Sequence, residues 1–320
     1  MAKTILTEGM VLRGGVYEAI DVRGRNVVIE DVRVEGDGVS LYANHNCSGL
    51  MVKNSTFISH EKKAVHIVAD KVSGTIEGIS FNNCKFIGYR MGVELQNHGK
   101  LKPPAEGVPK DWYKISGVEF ENCDFLSEGE SGYALSLTGY GEKTRCYNCN
   151  FTGTMKGVEV VGFIDVVLQS CQLTGKQAFI SSNKRPNKVA LRLCRLKGGV
   201  RLENCTESGM AWCIVNASPY VEIKHSSRTA LIGCEITSAV NYGVMINESR
   251  ECTVLNCKIA NTGSNYSVVR CYKPKSTSNI IRGNTLMMRK PKVGKWYDQK
   301  DGASGNVFEG NKQEYISQKQ

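Results

Sequence analysis

One phrase returns throughout this 320-residue chain. An alternating apolar run meets a polar break and then resumes, as in ISFNNCKFIG at 79–88. Aligned on the residue after the break, the copies fall at Val32, Ser55, Cys84, Cys123, Cys149, Cys171, Cys194, Cys234, Cys257, Asn284 and Asn311. The steps run from 22 residues (149 to 171) to 40 (194 to 234). A period of this size builds stacked repeats, each burying its apolar face against its neighbours. The two longest steps are read as single rungs with insertions, near 97–114 and 207–228.

Within a phrase the period is two, as in Ile79 and Phe81, then Cys84 and Phe86, which is strand periodicity. The alternation skips one residue at the break, so the chain turns there while both flanks stay inward. The residue before the aligned position is Asp31, Asn54, Asn83, Asn122, Asn148, Ser170, Leu193, Gly233, Asn256, Gly283 or Gly310. Nine of these eleven are Asn, Asp or Gly, the types that tolerate a left-handed backbone, so a shared corner of positive φ is expected. Distorted corners are expected at Ser170 and Leu193. A further strand follows each phrase: GVSL (38–41), AVHI (64–67), GVEL (92–95), ALSL (134–137), GVEV (157–160), AFI (178–180), GVRL (199–202), GVMI (243–246) and SVV (267–269).

This rung of strand, Asn corner, short strand, loop and strand resembles the single-stranded right-handed parallel β-helix of the pectate-lyase-like superfamily, which includes phage tail spikes. The resemblance covers roughly residues 20–312. It implies an all-β fold of about 10–11 rungs in one domain over 1–320, with an N-terminal cap at 1–19 and a polar tail at 313–320. Function does not follow from it, because many chemistries share such scaffolds.

Thirteen cysteines, an odd number, fall mostly at the repeated position. They read as inward, polarizable core fillers rather than disulfides. CYNC at 146–149 lacks the four convergent ligands of a zinc site, so no metal or cofactor is expected. The opening MAKTILTEGMVLRGG has no apolar core of a secretory signal, and no apolar run is long enough to cross a bilayer. Assembly in cytoplasm with reduced thiols, followed by release on lysis or a place in a virion, is the expectation. The net charge of +10 points to an acidic partner. The basic residues are scattered over several loops without a nucleic-acid module, which argues for an anionic polysaccharide over nucleic acid.

In this superfamily the usual ligand face is the outward side of the GVxL sheet. Its central outward column is read as Ser40, His66, Glu94, Ser136, Glu159, Phe179, Arg201, Met245 and Val269. The next column is Tyr42, Val68, Gln96, Thr138, Val161, Ser181, Glu203, Asn247 and Cys271. Glu94 and Glu159 then lie two rungs, about 9.6 Å, apart. That is the upper edge of the separation for a general acid and base in inverting glycoside hydrolysis. His66, Arg201 or Tyr42 would serve as the base of a lyase. The NTD, DD and GHG set of polygalacturonases and the DPH of alginate epimerases are missing. Flanking loops carry Lys100, Lys102, Trp112, Tyr113, Tyr140, Lys184 and Arg185, a basic aromatic rim suited to sugars and carboxylates.

The expectation is a tail-spike-like depolymerase, with hydrolysis ahead of elimination. Glu94, Glu159, His66 and Arg201 are the catalytic candidates. Tyr42, Gln96 and Glu203 join the rim residues in binding. The alternative is a non-catalytic virion part or glycan-binding adhesin. Tail spikes are often trimers, which makes a homotrimer an expectation without a coiled-coil signal.

Overall fold

The computed structural model describes residues 3–98, 113–182, 188–263, 266–289 and 295–316. It is a parallel β-solenoid of about 12 turns, in which strands of successive rungs pair in parallel. The chain divides into two compact units, Met1–Gln172 and Leu173–Gln320.

In the first unit, each rung contributes a GVxL strand, a strand before the corner and a strand after it. Lys63–Ala69, Ile76–Asn82 and Lys85–Gly88 make one such rung, and Met91–Asn97, Ile115–Glu121 and Asp124–Ser127 stack on it. Rings fill the interior in register. Phe86 lies 4.9 Å from Phe125, and Phe125 lies 4.5 Å from Phe151, between ring centres. Each such ring stabilises the stack by about 1.5–3 kcal/mol through burial. Residues 3–17, expected as a cap, already pair strand for strand with 19–34 as a further rung. At the other end of the chain Lys312–Tyr315 is a strand that reaches into the expected tail.

The corners are left-handed as expected, with φ of 50° to 57° at Asp31, Asn54, Asn83, Asn122 and Asn148. Ser170 and Leu193 correct the expectation of distortion, for their φ values, 56° and 55°, match the others. Ladder hydrogen bonds impose the conformation whatever the side chain: Leu193 N–H donates to the Ala211 carbonyl at 3.0 Å.

In the second unit, the expected insertion at 207–228 is a complete rung. Gly209–Ala211 and Ile214–Ala217 flank a corner at Trp212, φ 56°, and Val221–Lys224 starts the next turn. A tryptophan at the corner, in place of Asn or Gly, hid this rung from the pattern, which is one reason the solenoid has more turns than expected.

All thirteen cysteines are free and buried. Those after corners donate their thiol to the carbonyl two residues back, as Cys123 does to Glu121 at 3.2 Å and Cys257 does to Leu255 at 3.3 Å. Asn284 takes the same inward place, with its amide donating to the Val254 carbonyl at 2.8 Å. Burial pushes the Cys47 thiol up to about 12 and the Cys205 thiol to about 11, so both remain protonated.

Candidate functional site

The GVxL ladder of the first unit aligns Asp21, Tyr42, His66, Glu94, Ser136 and Glu159 on successive rungs. Glu94 and Glu159 are two rungs apart with Ser136 between them, as the sequence reading has it. Tyr42 takes the place beside His66 that the reading gave to Ser40. Tyr42 pairs with His66, whereas Ser40 is fully buried and donates its hydroxyl to the Ile58 carbonyl at 2.5 Å. The difference is a two-residue slip, which preserves the alternation and is invisible to a pattern of period two.

His66 is the centre of the cluster. Its Nε2 lies 3.0 Å from Gln96 Oε1 and 3.2 Å from Glu94 Oε2. Both neighbours are acceptors, so Nε2 carries the proton and Nδ1 keeps its lone pair. The Tyr42 ring stands 5.6 Å away, tilted by 52°. Lys63, at the start of the His66 strand, binds Glu94 on the next rung, and Lys156 binds Glu159 three residues along its own strand. Ser136 Oγ lies 3.4 Å from Glu159 Oε2. Glu94 is only 5% exposed, so its charge is held inside this network.

Burial, then the Lys63 charge, holds His66 below the usual imidazole value, against the opposing pull of Glu94. Burial, with Asp70 and Asp21 adding to it, holds the Tyr42 phenol above its usual value. Burial works against charge on Lys156, yet the hydrogen bond and charge of Glu159 outweigh it and leave the ammonium favoured. Near neutral pH the cluster therefore offers a neutral imidazole, a protonated phenol and the Lys156 ammonium. Sequence reasoning passed over both lysines. The signal was there: each stands three residues ahead of its column residue, in KAVH (63–66) and KGVE (156–159).

The second unit holds Arg201 and Glu203, each in an ion pair. Arg201 Nε lies 2.8 Å from Glu222 Oε2, and Glu203 Oε1 accepts from Lys224 Nζ at 2.8 Å. Glu222, 4% exposed, was hidden inside the supposed insertion. Three neighbours in the two outward columns are also corrected. Phe179 is fully buried, Val269 points inward, and Arg270 pairs with Met245 in its stead, with Tyr272 rather than Cys271 in the next column. Consecutive valines, Val268 and Val269, leave the phase of the alternation ambiguous there. Arg201, Tyr220 and Glu222 line a small cavity of about 60 Å³. Elsewhere in this unit an open polar groove of about 620 Å³ runs past His225, Glu248 and Arg250.

Of the expected rim, Lys100, Lys102, Trp112, Lys184 and Arg185 lie outside the described residues. The Tyr113 carbonyl accepts the Asn97 side-chain amide. Tyr140 is half-buried in the strand Tyr133–Tyr147. Among the described residues no group of three or more His, Cys, Asp or Glu is placed to hold a metal ion.

No protein-family model and no curated protein matches the chain by sequence. Solved structures do match by fold. The A-module of the mannuronan C-5 epimerase AlgE4 of Azotobacter vinelandii aligns with a TM-score of 0.52 at 12% identity, over 95% of this chain and 87% of that one. PfbA, a surface adhesin of Streptococcus pneumoniae, gives 0.57 at 11% identity, over 81% and 80%. A mannuronic acid specific family 6 polysaccharide lyase from human gut microbiota gives 0.52 at 12%, over 91% and 78%. The shared feature is the pectate-lyase-like β-helix fold.

Proposed function

We propose that this chain binds an anionic polysaccharide along the Tyr42–Glu159 column and cleaves it by β-elimination at a uronate residue. The observation that carries the reading is His66, held neutral with its Nδ1 lone pair unengaged among the described residues, beside a phenol and a lysine. Nδ1 takes the proton next to the uronate carboxylate, and that C–H electron pair becomes the new C=C bond. The glycosidic C–O bond then breaks, and Tyr42 protonates the leaving oxygen. Lys63 lowers the cost of charge on the carboxylate as the proton leaves. Two of the fold neighbours are named for mannuronan and mannuronic acid, which supports a uronate as the substrate class.

Hydrolysis is the second reading, favoured by two carboxylates two rungs apart. An acid in that role must hold a proton, and both carboxylates here are occupied as partners of lysines. This is why elimination comes first.

The test is absorbance at 235 nm together with reducing-end release on a panel of acidic and neutral polysaccharides. Elimination gives both signals, and His66→Ala or Tyr42→Phe lowers the rate by about 10²–10⁴-fold while glycan binding persists. Reducing ends without ultraviolet gain would move the chemistry to Glu94 and Glu159. Binding without either signal would leave a glycan-binding protein that does no chemistry.

A further inference from the structure

Two successive corners of the second unit carry large apolar side chains where Asn or Gly is the rule. Leu193 and Trp212 have φ of 55° and 56° and are 56% and 63% exposed. An Asn at such a corner recovers part of the cost of the left-handed backbone through its polar side chain, which neither leucine nor an indole can do. Ile214 and Ile232, at 39% and 37% exposure, extend the apolar surface.

The indole has a made seat. A Cβ on Gly233 would stand 2.5 Å from Trp212 Cε3 and Cζ3, so the ring rests where only glycine leaves room. The rim is cationic. Arg192 and Arg195 flank Leu193 on one rung, and strand pairing sets them opposite Ala211 and Ile214, on either side of Trp212. Both arginines are exposed, and neither guanidinium has a hydrogen bond or ion pair among the described residues.

We propose that Trp212, Leu193, Arg192 and Arg195 form a second saccharide-binding surface, specific for an acidic sugar. The C–H face of a pyranose stacks on the indole, and its carboxylate takes the guanidinium groups. An apolar protein partner would bury those two unpaired cations at a desolvation cost that an acidic sugar offsets. The class of ligand rests on the polysaccharide reading above; the surface itself owes nothing to His66.

The test uses a reporter with Trp212 as its single tryptophan (Trp112→Phe, Trp296→Phe), in a His66→Ala background whose turnover is suppressed. Oligomannuronate and oligogalacturonate should change its fluorescence saturably, and neutral cellohexaose should not. Arg192→Ala with Arg195→Ala should weaken the response about tenfold. Trp212→Asn, read by calorimetric binding, should lose affinity by a similar factor yet melt at higher temperature, which separates lost binding from misfolding. A silent reporter, or an equal response to the neutral oligomer, overturns the proposal. So does Trp212-dependent self-association in sedimentation, which would make the patch a contact between copies. Silence here with product in the 235 nm assay sinks this inference alone; a titrating Trp212 without product sinks the other.

Discussion

A left-handed corner costs a non-glycine residue roughly 1–2 kcal/mol, and the side chain decides how much is recovered. Asn148 recovers part of it by donating its amide to Asn122 at 2.7 Å, one rung away. Leu193 recovers none and stays exposed. Leu193→Asn should therefore stabilise the fold by about 1 kcal/mol, read from urea unfolding at constant m-value; no gain would mean that the corner is unstrained. His66 carries the second prediction at this scale. Its folded value lies below the ordinary imidazole value of 6.5, so the unfolded chain takes up its proton first as pH falls. Its contribution to stability is complete above about pH 6.5 and declines as pH falls from there toward the folded value. Elimination should show an acid limb with its midpoint below 6.5, and His66→Gln should flatten the stability change in that window.

At the scale of the element, the rung is held by ladder registry and close backbone approach. The GVxL strand of one rung, Tyr133–Tyr147, runs into the next face through an irregularity between Thr138 and Gly141. Gly139 there has φ 89°, and Gly162 on the next rung has φ 100°. A Cβ at Gly162 would lie 1.8 Å from the Gly139 carbonyl oxygen, a backbone atom held by its own ladder. Gly162→Ala should cost about 3 kcal/mol or more, seen as a lower denaturation midpoint. Alanine at Gly74, where a Cβ meets nothing within 4 Å, separates the cost of positive φ alone from the clash. The same stacking places Tyr42 beside His66, because strand pairing rather than loop geometry sets neighbours along the column.

For the whole molecule, the distribution of thiols is the most direct check on the fold. Thirteen cysteines are all free and all buried. A thiol reagent such as dithionitrobenzoate should label none of them in the native protein and all thirteen after denaturation, while reductant leaves the melting temperature unchanged. Rapid native labelling of several sites would contradict the inward ladder. Each of the two compact units carries its own outward charge network, Lys63–His66–Glu94 in the first and Arg201–Glu222 in the second. Variants in one network therefore test that network by itself.

The sequence alone determined the solenoid, because the Asn and Gly corner column and the alternation of Ile79, Phe81, Cys84 and Phe86 are demands of backbone sterics and burial that each rung must meet locally. It also placed His66, Glu94 and Glu159 on one outward column, since a strand of period two leaves no other face for them. Three things belonged to the tertiary structure. The corner at Trp212 is imposed by hydrogen bonds from neighbouring rungs, and the residue type does not announce it. The position of Tyr42 turns on a two-residue slip that leaves the hydrophobic pattern unchanged. The pairing of Lys63 with Glu94 and of Lys156 with Glu159, which separates a neutral base from ion-paired carboxylates, depends on where flexible side chains come to rest once the rungs are stacked. Where the alternation is unbroken, local pattern encodes which way a side chain points; only registry between rungs decides what it meets.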